Sequence, residues 1–309
     1  MNNKNKELTI FTPTYNRIEL LTKLYKSLLR QTNNNFTWLI IDDGSSDDTT
    51  KIVLDWVKKS LIDIKYVYQD NSGKHVAHNK AIELSKTDLF VCVDSDDILT
   101  DNAVNLILNY WHKDKVDYSF VGYCFRKGDM NANPTGKNWI NDNRTISFFD
   151  LYEEYRYRGE LVLVWITKAL KKFKFPIFKE EKFVTENVLY YQASYTKQVK
   201  LLNDIFYLFE YKPDGYTKQG DKLYYRNPYG YAIYRYQAGV LSNSLVKKIR
   251  WIARYKGWIK AFKLNKMILQ NELDKMNLPK TNAIIDLLST IYSRHYKNKY
   301  SKKKEQYNL

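Results

Sequence analysis

Two hydrophobic periods alternate along the first 125 residues. "LTIFTP" (Leu8 to Pro13) reads as a strand, and "RIELLTKLYKSLLRQ" (Arg17 to Gln31) follows it with Leu20, Leu21, Leu24, Leu28 and Leu29 at helical spacing. "FTWLII" (Phe36 to Ile41) is a second strand, ending in the acidic turn "DDGSSDDTT", whose side chains suit the start of a helix carrying Ile52, Val53, Trp56 and Val57. "DIKYVYQ" (Asp63 to Gln69) predicts a third strand, "GKHVAHNKAIELS" (Gly73 to Ser85) a loop entering a helix, and "LFVCV" (Leu89 to Val93) a fourth strand apolar enough to be buried on both faces. A helical stretch over Asp101 to Trp111 and a strand over Asp117 to Arg126 complete the series. Strands alternating with helices in this way predict an α/β fold with a mainly parallel sheet flanked by helices.

The polar segment Lys127 to Arg144 reads as a loop, of a length that in compact domains is either a functional cover or disordered. Periodicity is less regular up to Tyr231, is helical from Tyr231 to Tyr296, and gives way to "KNKYSKKKEQYNL", read as a frayed basic tail. The expected division is therefore 1–230, with halves of about 1–125 and 126–230, and a helical basic region over 231–309.

Composition supports a folded chain, since 44% of its 309 residues are hydrophobic and 16% aromatic. Lys and Arg exceed Asp and Glu by 50 to 34, a formal net charge of +16 that favours phosphate-rich or otherwise anionic partners. Cys92 and Cys124 lie in apolar runs and are expected as buried free thiols, which fits a reducing cytoplasm. "MNNKNKELTIF" is too polar for a signal peptide, and "ELVLVWI" (Glu160 to Ile166) is too short to cross a bilayer.

Ligands of open α/β sheets collect at the carboxyl ends of the strands. Three polar clusters fall there: "TPTYNR" (Thr12 to Arg17), "DDGSS" (Asp42 to Ser46) and "DSDD" (Asp94 to Asp97). Acids crowded at one strand end repel one another unless a cation offsets them. Hard ions such as Mg²⁺ take carboxylate oxygens and are completed by water and substrate phosphates. No His adjoins the cluster and Cys92 is read as a buried thiol, which disfavours zinc, and the lack of a Gly-x-Gly-x-x-Gly or P-loop disfavours dinucleotide and P-loop enzymes. A carboxylate at the second strand end could hold a ribose or a base edge.

"TPTYNR", "LIIDDGSSDDT", "DNSGKHVAHNKAI" and "VDSDDIL", in this order and spacing, resemble the inverting glycosyltransferases of family 2, which have the GT-A fold. The resemblance covers roughly residues 7 to 215. It implies that Pro13, Thr14 and Tyr15 lie against the uracil of a UDP-sugar, with Arg17 in the same motif, and that Asp43 reads the uracil edge. Asp94, Ser95 and Asp96 would be the DXD motif, with Asp96 the principal ligand of Mn²⁺ or Mg²⁺ and Asp94 toward the ribose or sugar, or also on the metal. Gly73, Lys74 and Asn79 would line the ribose and diphosphate, with Lys74 the phosphate contact and His75 and His78 as further candidates. The family usually carries its base in a Glu-Asp pair after an "FP" segment. Here "FKFPIFKEEKFVTENVLYYQ" gives Glu186-Asn187, so Glu186 is the candidate base, with Glu180 and Glu181 as alternatives.

The implied activity is transfer of one sugar, a hexose or N-acetylhexosamine, from a UDP-sugar to a bacterial surface glycan. The acceptor would be a lipid-carried capsular or exopolysaccharide unit, or wall teichoic acid. Trp251, Tyr255, Trp258 and Phe262 form a helical stripe among the cations of 245–266, which either packs on the protein or meets anionic membrane at the inner face. "YKPDGYT" (Tyr211 to Thr217) and "YYRNPYGY" (Tyr224 to Tyr231) are candidate acceptor-side loops. No nucleic-acid partner is expected, because no binding motif accompanies the charge. A catalytically inactive glycan- or nucleotide-sugar-binding relative and a basic nucleic-acid-binding protein are the competing classes.

Overall fold

The computed structural model describes residues 6–114, 119–137, 143–195, 197–210 and 220–307. The chain forms two compact units, Met1–Lys172 with Lys197–Tyr211, and Phe173–Thr196 with Lys212–Leu309.

The first unit begins with β1 (Leu8–Thr14), α1 (Ile18–Leu29), β2 (Phe36–Asp42), α2 (Thr49–Lys59), β3 (Ile64–Tyr68), α3 (Lys74–Leu84) and β4 (Leu89–Cys92). These strands lie parallel in the order β3-β2-β1-β4, as the alternating periods predict. β2 is buried along its whole length, so Trp38 to Ile41 are apolar in succession instead of alternating with polar residues. Trp38 on β2 stacks near Tyr25 of α1, and Tyr25 stacks on Trp56 of α2 at 4.2 Å, pinning both helices to one sheet face. The Trp38 indole N–H donates to Thr12 Oγ1 at 3.0 Å, while the buried Tyr25 hydroxyl has no hydrogen-bond partner among the described residues.

The rest of the unit turns the sheet mixed. β5 (Ile98–Leu99), α4 (Ala103–Asp114), β6 (Gly122–Gly128), β7 (Thr145–Ile146), α5 (Phe148–Glu153), β8 (Leu161–Ile166), α6 (Thr167–Leu170) and β9 (Val199–Leu208) continue it to β4-β8-β6-β9-β5, with β7 also on β9. β8 runs antiparallel to β4 and β6, while β6 and β9 are parallel. The continuous parallel block is β3-β2-β1-β4, β6-β9 is a further parallel pair, and "LVLVWI" is a sheet strand. Of the strand expected over 117–126, residues 117 and 118 lie outside the described residues and β6 starts at Gly122. Of the expected 127–144 loop, 138–142 lie outside them, and its start continues β6 to a bridge between Gly128 and Pro134.

In the second unit, α7 (Asn187–Tyr195) packs on α9 (Pro228–Leu241), where the Gln237 amide donates to the Val188 carbonyl at 2.9 Å. α8 (Asp221–Arg226), α10 (Leu245–Phe262), α11 (Lys266–Asp274) and α12 (Ala283–Gln306) complete it. The aromatic stripe of α10 turns toward its neighbours in this unit: Trp258 is fully buried and meets Tyr231, Phe262 and Tyr300, and Tyr255 meets Tyr236. α12 runs through the segment expected to fray. Its last turns are held because Tyr300 is buried, Tyr307 packs on Tyr225, and Lys303 pairs with Asp221 at 2.5 Å. "YYRNPYGY" is likewise helical, divided between α8 and α9, while "YKPDGYT" lies outside the described residues. No described helix is long and apolar enough to cross a membrane.

Candidate functional site

The parallel pairing sets three strand ends level. Thr14 stands beside Asp42, the Asp43 amide donates to the Thr14 carbonyl at 2.8 Å, and the Val93 amide donates to the Phe11 carbonyl at 2.8 Å. The chain leaves β1 toward β2 on one side and returns to β4 on the other, so β1 and β4 flank the switch point where such sheets bind ligands.

At the first strand end Pro13 is half-buried, Thr14 is buried, and Tyr15 is 48% exposed. Thr14 Oγ1 has no hydrogen-bond partner among the described residues. Asn16 adopts φ 51°, a left-handed conformation that Asn tolerates better than most residues. Its Oδ1 accepts from the Ser46 amide at 2.7 Å and its own amide donates to Ser45 Oγ at 2.9 Å, which ties the first rim loop to the second.

Both acids of the second strand end are engaged. Asp42 accepts from the Ser45 amide and the Tyr66 hydroxyl. Asp43 Oδ1 accepts from Gln69 Nε2 and the Ser72 amide at 2.7 and 2.8 Å, and Oδ2 accepts from the Gly73 amide at 2.8 Å. Asp43 thus shapes the turn that launches α3. Gly73 in that turn has φ 95°, a conformation that side-chain-bearing residues rarely take.

Exposure alternates along Asp94 to Asp97: Asp94 and Asp96 are half-buried, while Ser95 and Asp97 are buried. Each acid meets a base. Lys74 Nζ, at the start of α3, lies 2.5 Å from Asp94 Oδ1, and Arg17 Nη1 lies 3.1 Å from Asp96 Oδ2. Asp97 Oδ2 accepts from the Tyr207 hydroxyl at 2.7 Å, with Lys127 Nζ 3.7 Å away and 3.9 Å above the Tyr207 ring. The Tyr207 oxygen also accepts from the Asp94 amide at 3.0 Å.

Burial pushes the Asp97 carboxyl up to about 7, against the pull of Lys127. Burial resists ionisation of Asp94 as well, yet Lys74, Lys127 and Arg17 outweigh it and hold that carboxyl below the usual carboxylate range. His75 and His78 are buried, and burial holds them down to about 4 and about 3. His78 packs edge-on against Phe11 and Phe90, so both imidazoles are neutral near pH 7 and His78 belongs to the core. Asn79 is half-buried on α3.

Arg17, Lys74, Asp94 and Asp96 are thus brought together, and Asp43 and Gly73 meet in the adjoining turn. Among the described residues no three His, Cys, Asp or Glu side chains gather at one point to hold a metal. The half-buried Asp94 and Asp96 carboxylates are hard oxygen donors that suit Mg²⁺ or Mn²⁺ where water and a substrate phosphate complete the coordination. Neither Lys127 nor Tyr207 carries a signal in the sequence, where Lys127 opens the segment read as a loop and Tyr207 lies in the less regular stretch before Tyr231. They reach the strand end because β6 and β9 pair in parallel.

In the second unit Glu186 is half-buried immediately before α7, and its carbonyl accepts from the Leu189 and Tyr190 amides at 3.0 Å. Glu180 is exposed. Glu181 is buried, and its two oxygens accept from the Tyr229 and Gly230 amides at 2.5 and 2.8 Å, capping α9. Burial pushes its carboxyl up to about 7 although both amides favour the ionised form.

A profile described as "Glycosyl transferase family 2" matches residues 9–175, more than half of the chain. The chain belongs to this family. An uncharacterized glycosyltransferase of Rickettsia conorii is 32% identical over 38% of this chain and 19% of its own length. An Escherichia coli protein named chondroitin synthase is 31% identical over 43% of this chain and 19% of its own. Bacillus subtilis TuaG, named for teichuronic acid biosynthesis, is 29% identical over 42% of this chain and 51% of its own. The matched stretch thus spans about a fifth of the first two relatives and half of the third.

Among solved structures, S. aureus TarS aligns over 97% of this chain and 91% of its own with a TM-score of 0.57 at 16% identity. Pyrobaculum calidifontis PcManGT aligns over 99% and 85% with 0.53 at 13%. At such identities the likeness shows the fold, which is GT-A. TarS has been solved with UDP-GlcNAc, and PcManGT with GDP-Man and Mn²⁺.

Proposed function

We propose that this family 2 protein is an inverting glycosyltransferase that moves one sugar, a hexose or N-acetylhexosamine, from a UDP-sugar to a hydroxyl of a bacterial surface glycan. The observation that carries the reading is the pairing of half-buried Asp94 and Asp96 with Lys74 and Arg17 at the switch point of the sheet. Carboxylates suit a divalent cation and the bases suit phosphate, so one small area carries both halves of a metal-diphosphate site.

Asp96, with Asp94, would hold Mn²⁺ or Mg²⁺, which when bound offsets charge on the departing diphosphate. Lys74 and Arg17 exchange their carboxylate partners for diphosphate oxygens. Pro13, Thr14 and Tyr15 lie against the uracil, and Asp43, with three hydrogen bonds received, keeps an acceptor position for the uracil edge. Gly73, Asn79 and Ser95 line the ribose and diphosphate.

Glu186 takes the proton of the acceptor hydroxyl as that oxygen attacks the anomeric carbon, while the bond from that carbon to the diphosphate breaks. Glu181 is a poorer candidate because both its oxygens cap α9. The alternative that Asn187 favours is a relative that binds donor without transferring it, which release of free UDP would exclude.

A lipid-carried polysaccharide unit or wall teichoic acid is the proposed acceptor, supported by the charge of +16 and by relatives such as TuaG. We place the enzyme in the cytoplasm, on the inner membrane face. The cations of 245–266 and the exposed row Ile284, Leu287 and Ile291 on α12 support a peripheral seat on anionic lipid. A thermal-shift panel of nucleotide sugars with Mn²⁺ tests the donor. A UDP-sugar should raise the melting temperature, since ligand at a hundred times its Kd adds about 2.7 kcal/mol. A shift with GDP-sugars alone would overturn the donor assignment.

A further inference from the structure

Helices α8, α9, α10 and α12 enclose a pocket of about 140 Å³ within the second unit. One water needs roughly 10–15 Å³ of such space, so a group of several heavy atoms fits. Four cations line it, Arg235, Arg254, Lys299 and Lys303, against one acid, Asp221. Asp221 is matched by Lys303 at 2.5 Å. The other three cations have no carboxylate partner among the described residues, leaving the pocket with an excess of positive charge.

Arg235 makes this excess costly. It is 5% exposed, and its guanidinium lies 4.4 to 4.5 Å from the ring centres of Tyr231, Trp258 and Tyr300. Cation–π contacts return part of the lost hydration. Nη1 donates to the Arg254 carbonyl and the Tyr300 hydroxyl, but the buried Nε has no acceptor among the described residues. A buried cation with an unmet donor beside two further unpaired cations is a site that lacks its counter-ion. The walls add a second requirement. Tyr224 and Tyr231 stack on each other at 4.0 Å, both half-buried, and with half-buried Trp251 they give the pocket an aromatic wall.

We propose that this pocket binds a phosphorylated sugar, with the phosphate among Arg235, Arg254 and Lys299 and the sugar ring against the aromatic wall. Guanidinium groups match phosphate oxygens in geometry and charge. The proposal concerns binding within the helical unit and does not depend on the donor chemistry proposed above.

Calorimetric titration of the full chain with glucose 1-phosphate, in saturating UDP and Mn²⁺, tests it. The probe should bind more tightly than glucose or inorganic phosphate alone, and more weakly as salt rises. Arg254→Gln with Lys299→Gln should lower its affinity at least tenfold and leave UDP affinity unchanged. Lys299→Glu, at an exposed position, provides a variant whose fold is not at stake and should also weaken the probe. Unchanged affinity in both variants, or binding no tighter than that of free phosphate, would overturn the proposal. If UDP binding failed while the variants still weakened the probe, the donor reading would fall and this one would stand. The methyl phosphodiester of the same sugar separates the sources: retained binding indicates a phosphodiester polymer, and loss indicates a terminal phosphate.

Discussion

Lys74 Nζ lies 2.5 Å from Asp94 Oδ1, so the first residue of α3 neutralises the first acid after β4. The register that sets β1 between β2 and β4 makes this meeting possible. A base already placed at an acidic rim can pass to a diphosphate without leaving the site. Lys74→Met should therefore weaken UDP binding about tenfold or more, the worth of a charge-assisted hydrogen bond. The deficit should shrink as salt screens the wild-type contact, which calorimetry at two ionic strengths would reveal.

Asp97 makes stability depend on pH. Its carboxyl ionises near 3.8 when unfolded and at about 7 when folded, so the native state binds the extra proton between those values. Its contribution is full below about 3.8 and is lost as pH rises toward 7. His75 and His78, held to about 4 and about 3, act oppositely below 6.5, so the wild-type profile carries the difference. Asp97→Asn isolates the carboxyl. Its stability relative to wild type should improve steadily from pH 4 to 7 in denaturant titrations, and a constant offset would reject the assignment.

The two glutamates should separate cleanly. Glu186→Gln is expected to cut transfer by about 10²–10⁴, the range for a positioned acid or base, with UDP binding and melting temperature unchanged. Glu181→Gln should instead cost about 1 kcal/mol through the weakened cap of α9 and leave transfer by the folded fraction intact. Paired turnover and melting curves on both variants make the comparison.

Much of this was legible in the chain. The strands ending at Thr14 and Asp42 and the acids after Cys92 could be read because each apolar run stops where its polar rim starts. Lys127 and Tyr207 could not, since Tyr207 lies 110 residues from the Asp97 it holds and only sheet pairing joins them. The mixed half of the sheet was hidden for the same reason: "LVLVWI" shows an apolar run but not its direction. At the carboxyl end the density of lysines suggested fraying, yet Tyr296, Tyr300 and Tyr307 recur on one helical side and carry the packing signal.

Gly257 illustrates a constraint invisible to periodicity. A Cβ there would meet Tyr296 Cβ at 2.8 Å and the Ser293 carbonyl at 3.1 Å, so α10 and α12 approach through a residue without a side chain. Gly257→Leu should destabilise the protein by about 1–3 kcal/mol, as overpacking does. A melting temperature equal to wild type would show that the helices part without cost.

The metal-diphosphate reading of the acidic rim is tested most directly by UDP affinity with Mn²⁺ and with EDTA, in wild type and Asp96→Ala. The account predicts binding in wild type with Mn²⁺, a large loss in EDTA, and a comparable loss in Asp96→Ala whether or not metal is present. Equal UDP affinity under all four conditions would contradict it.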